Sequence, residues 1–350
     1  MALFKLTEDF KNRFKKFLSS DLFHNQPSNS KTDYWNYHSN EIKYTFKNSI
    51  LTLEGKSGNY IPDKKNSYQF FSRSIKTFIK QIIGLDTAGS YGTNFMSYKK
   101  AFKRIMNEDV IAGYQQLQFD KKKILARDFS DCKKNFVFNY AVNDHIIIAY
   151  YYINILNSYI DLPKTKFIIE IGAGNGNLIA LLKNHFNSKC IIDVDLPETL
   201  ILAIPFLKDL FPNANILLPN EINNKITKDT LLKYDFIFLT PTQIKLIEEN
   251  LIDLVINTSS FCEMQKSQVA EYINFIQKVC KKDSFFFTSN NVEKIPFDGE
   301  KYPDNYNNIK PIRFFEYPFF DNEILIYQIC RLTNFVQHSP AYLRLEKIKK

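Results

Sequence analysis

Long apolar runs are missing from this sequence. The longest, such as Phe167–Ile169 and the stretch around Ile146–Tyr152, are far shorter than the roughly 20 apolar residues that span a bilayer. Scattered basic residues interrupt the N-terminal segment, which has no apolar run ahead of a small-residue cleavage site. We therefore expect no transmembrane helix and no signal peptide.

Cysteine is also sparse. The five cysteines are odd in number, widely spaced and without a Cys-x-x-Cys pair, so neither a disulfide framework nor a zinc site is indicated. We expect a protein of the reducing cytoplasm. No group of His, Asp and Glu has metal-binding spacing, and we predict no required metal, although magnesium held through a substrate would leave little trace in the sequence.

The formal net charge of +9 is concentrated in the first part of the chain. Residues 1–160 contain 24 Lys and Arg against 14 Asp and Glu, whereas residues 161–350 contain 22 against 23. One interpretation is ordinary solvated surface, and the other is a basic face that attracts an anionic acceptor or a membrane surface. No motif of specific nucleic-acid recognition accompanies these basic residues, which are interleaved with acidic ones.

Helical periodicity dominates residues 1–160, which we predict to be a mainly helical N-terminal cap or acceptor region. Near-helical spacing predicts an amphipathic helix over residues 1–18, with an apolar stripe that suits docking onto the protein itself or, alternatively, peripheral contact with a membrane. The stripe consists of Phe4, Phe10, Phe14, Phe17 and Leu18. Loops and short elements are predicted over residues 19–66. Further helices are predicted over residues 68–85, 96–106 and 136–160.

From Lys166 onward, short apolar runs alternate with amphipathic stretches, which is the pattern of βαβ units. Residues 161–350 are therefore predicted to form an α/β domain, a Rossmann-like and mostly parallel sheet with helices on both faces. The predicted strands are residues 167–171, 190–194, 215–218, 234–239, 254–257 and 284–288. The predicted helices are residues 177–186, 198–210, 243–249 and 266–279.

The first of these strands runs directly into a glycine-rich turn, Glu170-Ile-Gly-Ala-Gly-Asn-Gly176. Glycine lets the backbone turn sharply and approach a ligand closely, and the start of the following helix offers free N–H groups. A dinucleotide-binding turn would have its third glycine at position 177, which is Asn177 here. Glycines spaced in this way, with Glu170 two residues before Gly172, suit a methyltransferase instead.

The next predicted strand ends in Asp193-Val-Asp-Leu-Pro-Glu198, which places Asp195 at the carboxyl edge of the sheet. A carboxylate at this position accepts hydrogen bonds from the hydroxyls of a nucleotide ribose. The alternative interpretation of Asp195 is a carboxylate at the N-terminus of the helix that begins with Pro197. Asp193 points to the same side of the strand and is a rival candidate for the ribose.

These residues resemble the class I S-adenosylmethionine-dependent methyltransferases and, more narrowly, the sugar O-methyltransferase family. The narrower resemblance rests also on a third segment, Asp253-Leu-Val-Ile-Asn-Thr-Ser-Ser-Phe-Cys-Glu-Met264, and covers roughly residues 130–295. Asn175 and Cys262 depart from the family, where an aromatic residue and a glutamine are expected. The resemblance implies S-adenosylmethionine as the cofactor and a hydroxyl of a sugar or glycan precursor as the acceptor. The predicted cofactor contacts are Glu170, Gly172, Ala173, Gly174, Gly176, Asp195, Leu196 and Asn257.

Methyl transfer to a hydroxyl benefits from a general base, which typically contributes about 10²–10⁴-fold. Glu263, in the segment after the strand at residues 254–257, is the first candidate, and the alternative is a glutamate that interacts favourably with the helix dipole. His145 is the second candidate, with a packed core histidine as its alternative. A methyltransferase for another small molecule or an RNA stays open, as does a catalytically degenerate cofactor-binding or interaction module. The oligomeric state is not set by these patterns.

Overall fold

The computed structural model describes residues 2–26, 43–48, 50–54, 136–137, 140–141, 144–186, 188–293, 312–330 and 341–350. The chain divides into two compact units. The first comprises Met1–Phe4, Glu41–Ile160 and Arg331–His338, and the second comprises Lys5–Asn40, Asp161–Cys330 and Ser339–Lys350. The domain assignment made from the sequence stays a prediction, because many residues before position 144 lie outside the described part. The helices predicted over residues 68–85 and 96–106 also lie outside it.

The N-terminal helix begins later than predicted. Strand β1 (Ala2–Lys5) comes first, followed by helix α1 (Glu8–Leu18) and the short helix α2 (Asp21–His24). The hydroxyl of Thr7 accepts a hydrogen bond from the Phe10 N–H at 3.4 Å and caps α1. The prediction of a helix over residues 1–18 is therefore wrong for residues 2–7, because the cap at Thr7 sets the helix start.

Helix α1 buries its apolar stripe within the protein. Phe10, Phe14 and Phe17 are each at most 1% exposed. On the same helix, Arg13 donates to the two carboxylate oxygens of Glu221 at 2.6 and 2.8 Å and to the carbonyl of Ile216 at 2.7 Å. Docking onto the protein itself is thus the role the structure gives to this stripe. No helix of the described residues is long and apolar enough to cross a membrane.

In the first unit, the described elements are short strands and one helix. Strands β2 (Lys43–Lys47) and β3 (Ile50–Glu54) are antiparallel, and β3 lies between β2 and β1. Strand β4 (Phe136–Val137) pairs antiparallel with β5 (Tyr140–Ala141), and helix α3 (Asp144–Tyr159) follows.

The long helix predicted over residues 136–160 is therefore wrong in its first third. Phe, Val and Tyr favour strands, and they pair here as β4 and β5 before the helix begins. Asp144 is the first residue of α3, which agrees with the preference for acidic residues in the first turn of a helix.

The second unit contains an eight-stranded sheet among its described residues. Its strands are β6 (Phe167–Ile171), β7 (Cys190–Val194), β8 (Ile216–Leu217), β9 (Phe236–Leu239), β10 (Ile252–Thr258), β11 (Cys280–Asn291), β12 (Glu323–Ile329) and β13 (Ala341–Lys347). The α-helices are α4 (Asn177–Phe186), α5 (Pro197–Leu210), α6 (Lys228–Lys233) and α7 (Lys266–Val279). Single 3₁₀ turns cover Leu162–Lys164, Pro219–Glu221, Pro241–Leu246, Phe261–Glu263 and Phe314–Glu316.

The strand order is β12-β13-β11-β10-β6-β7-β9-β8, and the six strands from β11 to β8 are parallel. Strand β13 is antiparallel to both of its neighbours. From β6 the chain builds the sheet toward β8 and then crosses back to add β10 on the other side of β6. The carboxyl ends of β6 and β10 therefore form a topological switch point, where open α/β sheets bind ligands. The predicted Rossmann-like sheet is confirmed.

One predicted helix in this unit is wrong. Residues 241–246 form a 3₁₀ turn where an α-helix over residues 243–249 was expected. The side chain of Gln243 accepts hydrogen bonds from the N–H and hydroxyl of Thr240, which tightens this turn. Ile247 then forms a parallel bridge with Ile226, so the chain is extended before a helix could continue.

We predict that the Arg13–Glu221 ion pair stabilises the docking of α1. Because the pair is bidentate and half-buried, a double-mutant cycle with Arg13→Gln and Glu221→Gln should give a coupling energy of about 1 kcal/mol in urea unfolding. The control is the ion pair of Lys164 with Asp161, whose side chains are 85% and 51% exposed and should show no measurable coupling. Equal coupling in the two cycles would contradict the prediction.

Candidate functional site

The glycine-rich turn leaves β6 at the switch point. Gly172, Gly174 and Gly176 have φ angles of +75°, +63° and +81°, in the left-handed region that favours glycine. A Cβ atom on Gly172 would lie 2.4 Å from both Cβ and Oγ of Ser260, in the segment after β10. The turn therefore needs glycine for its conformation and, at Gly172, for a close approach between two segments of the sheet edge.

Asp195 ties this turn to the end of β7. Its Oδ2 accepts the Gly174 N–H at 2.8 Å, and its Oδ1 accepts the Leu196 N–H at 2.7 Å. The hydroxyl of Thr199, on α5, is a third hydrogen-bond partner. A carboxylate offers about four acceptor positions, so Asp195 has capacity for roughly one further donor.

The remaining backbone of the turn is also ordered by hydrogen bonds. The Gly172 N–H donates to the Val194 carbonyl at 2.8 Å, and the Gly176 N–H donates to the Ala173 carbonyl at 3.0 Å. The structure thus brings together most of the predicted cofactor contacts at one edge of the sheet, and their role in binding stays a prediction. They are Glu170, Gly172, Ala173, Gly174, Gly176, Asp195 and Leu196.

The side chain of Asn257, the other predicted cofactor contact, forms hydrogen bonds within the protein. Its Nδ2 donates to the Ile171 carbonyl at 3.0 Å and to Ser260 Oγ, and its Oδ1 accepts from Asn290 Nδ2 at 2.8 Å. Asn290 Oδ1 in turn accepts the Cys262 N–H at 3.2 Å. This buried network fixes the segment after β10 against the ends of β6 and β11.

Glu263 lies in this fixed segment, in the 3₁₀ turn Phe261–Glu263. It precedes Gln265, the N-cap of α7, and so lies outside the first turn of that helix. Burial is the main cause of the raised pKa of Asp195, and the negative charge of Glu263 adds to it, so the two carboxylates lie close enough to interact. The position suits a base beside the cofactor site, and that role stays a prediction.

His145 is the second residue of α3, in the first unit. Its side chain lies outside the described residues, so its role as a base stays a prediction. Within the described ranges, no group of three or more His, Cys, Asp or Glu is placed to hold a metal ion.

Two buried carboxyl groups lie in the strands next to the glycine-rich turn. The sequence patterns did not reveal that they form a pair. Glu170 on β6 and Asp193 on β7 are register partners in the parallel sheet and are 2% and 1% exposed. Glu170 Oε2 and both carboxyl oxygens of Asp193 have no hydrogen-bond partner. The available signal was the alternation of Asp193 with Asp195, which places both on one side of β7.

Burial sets the charge of this cluster. It raises the pKa of Glu170 to about 8, and the negative charge of Asp195 adds to the effect. Burial likewise raises the pKa of Asp193 well above its ordinary value, with Asp195 and Glu170 adding to it. Burial also raises the pKa of Asp195 to about 7, although its hydrogen bonds lower it. A nearby cation would favour the charged form of these groups, whereas a nearby anion would favour the protonated form.

No protein-family model and no curated protein match this chain. Solved structures to which it is similar include methyltransferases. For magnesium protoporphyrin IX methyltransferase (ChlM) from Synechocystis PCC 6803 with bound SAH, the TM-score is 0.41 at 11% identity, covering 71% of this chain and 94% of that chain. For N-methyltransferase NodS from Bradyrhizobium japonicum WM9, the TM-score is 0.34 at 10% identity, covering 53% of this chain and 87% of that chain. For PH0226 protein from Pyrococcus horikoshii OT3, the TM-score is 0.36 at 14% identity, covering 56% of this chain and 86% of that chain.

We predict that Glu170→Gln makes the ligand-free protein more stable at pH 8 than at pH 5, relative to the unchanged protein. A carboxyl whose pKa is raised on folding contributes stability at low pH and loses it as the pH rises from about 4.5 toward the folded value of about 8. Glutamine does not titrate in this range. As the pH rises, the stability of the Glu170→Gln variant relative to the unchanged protein should therefore grow by up to about 1.4 kcal/mol per pH unit. Urea unfolding across this pH range measures the difference.

The control is Asp235→Asn. A hydrogen bond from Lys183 helps to lower the pKa of Asp235 despite the opposing effect of burial, so its contribution is lost only at low pH. Its effect on stability should therefore be constant between pH 5 and 8. The same pH dependence in both variants would show that the raised pKa of Glu170 is not the cause.

Proposed function

We propose that this chain is an S-adenosylmethionine-dependent methyltransferase whose cofactor lies at the carboxyl edge of β6 and β7. The observation that carries the proposal is the cluster of buried carboxyl groups beside the glycine turn, formed by Glu170, Asp193 and Asp195. S-adenosylmethionine carries a sulfonium and an ammonium group, which such a cluster attracts. A dinucleotide would bring a negatively charged pyrophosphate to the same edge, where these acidic groups offer it no counter-charge.

The residues of this edge fit the cofactor. Glu170 has an unpartnered buried oxygen for a cationic group, and Asp195 has acceptor capacity for a ribose hydroxyl. The left-handed glycines Gly172, Gly174 and Gly176 let the backbone approach a ligand. S-adenosylmethionine, when bound, supplies a methyl group on a positively charged sulfur.

The acceptor in this proposal is a hydroxyl of a sugar or glycan precursor. The segment Asp253–Met264 supports it through its resemblance to sugar O-methyltransferases, and the excess of basic residues before position 160 suits an anionic acceptor. Bound at this edge, the cofactor would supply the methyl group that the acceptor oxygen receives, and its sulfur would leave as a neutral thioether. Glu263 takes the proton that the hydroxyl loses.

Cofactor binding tests the first half of the proposal. S-adenosylmethionine should raise the melting temperature whereas NAD should not, with a stabilisation of about 2.7 kcal/mol at a hundredfold excess over Kd. Asp195→Asn should weaken binding by about 1–3 kcal/mol in titration calorimetry, because a charged acceptor becomes neutral.

Asp235→Asn is the matched control for this titration. It makes the same chemical change at the opposite end of the sheet, where Asp235 precedes β9 and accepts from Lys183 at 2.8 Å. Its Kd for S-adenosylmethionine should equal that of the unchanged protein. Stabilisation by NAD alone, or equal losses in both variants, would overturn the assignment of the site.

Detection of the methylated product tests the second half of the proposal, which is methyl transfer to a sugar hydroxyl. Labelled S-adenosylmethionine is incubated with sugar nucleotides, glycans, other small molecules and transfer RNA, and a methylated sugar is expected. Glu263→Gln should lower kcat by about 10²–10⁴-fold with Kd for the cofactor unchanged, whereas Glu271→Gln on the exposed side of α7 should have no effect. Methylation of RNA alone would overturn the sugar acceptor, and cofactor binding without transfer to any acceptor would indicate a degenerate module.

A further inference from the structure

The pair formed by Glu170 and Asp193 has three carboxyl oxygens without a donor, although both residues are at least 98% buried. An isolated charge taken out of water is strongly unfavourable, so a buried carboxylate needs a counter-charge, hydrogen-bond donors or a proton. The described residues supply neither counter-charge nor donor to these three oxygens. Among the groups that the described part of the chain offers, a proton is therefore what stabilises the pair in the absence of a ligand.

The neighbouring strands provide no charge to the pair. Phe238 on β9 is the register partner of Asp193, and Ile256 on β10 is the register partner of Glu170. Asp195, at the end of β7, adds a further negative charge that acts on both residues. The field at this point of the sheet therefore favours a cation.

The lysines of the adjacent helices are engaged elsewhere. Lys183 on α4 donates to Asp235 at 2.8 Å, near the opposite end of the sheet. Lys208 on α5 donates to the Pro212 carbonyl at 2.8 Å, beyond the end of its helix. Neither residue is placed to neutralise Glu170 or Asp193.

Building on the proposed function, we propose that Glu170 and Asp193 form a proton-linked pair: it holds a proton in the free protein and releases it to solvent when a cationic group of the cofactor binds. The cationic group, an ammonium or a sulfonium, replaces the proton as the partner of the orphaned oxygens. Asp193, to which no described residue donates a hydrogen bond, thereby becomes a binding residue for the cofactor's charge rather than for its ribose.

The affinity for a cationic ligand should then rise with pH. Below the raised pKa of Glu170, binding displaces a proton, so Kd should fall by up to about tenfold for each pH unit. The measurements belong between pH 6 and 7, because a free α-amino group titrates at about 7.7–8.0 and would add its own pH dependence.

Titration calorimetry of the full chain in two buffers with different ionisation enthalpies counts the protons. With S-adenosylmethionine at pH 6.5, release of about one proton per cofactor is expected. Glu170→Gln and Asp193→Asn should each reduce this number, whereas Asp235→Asn should retain it. S-adenosylhomocysteine has the ammonium without the sulfonium, and 5′-methylthioadenosine has neither charge.

The ligands separate the outcomes. Release with both S-adenosylmethionine and S-adenosylhomocysteine supports the proposal with the ammonium as the recognised group, and release with S-adenosylmethionine alone supports it with the sulfonium. Binding of S-adenosylmethionine without proton release, or equal release with 5′-methylthioadenosine, overturns the linkage and leaves the proposed function intact. Absence of binding overturns both. Because the unchanged protein gives these results, the test does not depend on the folding of any variant.

Discussion

The hydrogen bond from the Gly174 N–H to the Asp195 carboxylate, at 2.8 Å, holds the two central segments of the candidate site together. It connects the turn that leaves β6 with the residue that follows β7, across the middle of the parallel sheet. Thr199 and the Leu196 N–H bind the same carboxylate and fix it to the start of α5. The geometry of the candidate cofactor edge therefore depends on one carboxylate, which already has three hydrogen-bond donors within the protein.

Electrostatics then select what this edge can bind. Three carboxyl groups lie within the sheet edge, and burial raises the pKa of each. In the absence of a ligand, protons limit the repulsion among them. A cationic cofactor can replace those protons, whereas an anionic one cannot. The same cluster thus accounts for the proposed preference for S-adenosylmethionine and for the expected dependence of its binding on pH.

The central part of the fold was predictable from the sequence because its signals are local. Strands β6 and β7 are short apolar runs, each with one carboxyl residue, and glycine or proline follows each of them within three residues. Their predicted bounds agree with the structure. Strand β11 begins four residues earlier than predicted, because polar residues such as Lys281 and Asp283 hide its start in the sequence. Strands β12 and β13, which lie at one side of the sheet, were not predicted at all.

The parts of the site that depend on the register between strands were harder to predict from the sequence. Asn257 and Asn290 are 33 residues apart and meet only because β10 and β11 are adjacent, so no local pattern reveals their hydrogen bond. Glu170 and Asp193 likewise become a pair only through the alignment of β6 with β7. Helix periodicity also failed before Asp144, where two short strands have the same apolar composition as the helix that follows.

A crystal structure of the chain with S-adenosylhomocysteine tests the central claim most directly. The account predicts the ribose within hydrogen-bond distance of Asp195, the glycine turn against the ligand, and the amino group nearer to Glu170 and Asp193 than to any other carboxylates. A ligand bound away from the carboxyl ends of β6 and β7, or one that leaves Asp195 and the glycine turn without contact, would contradict it.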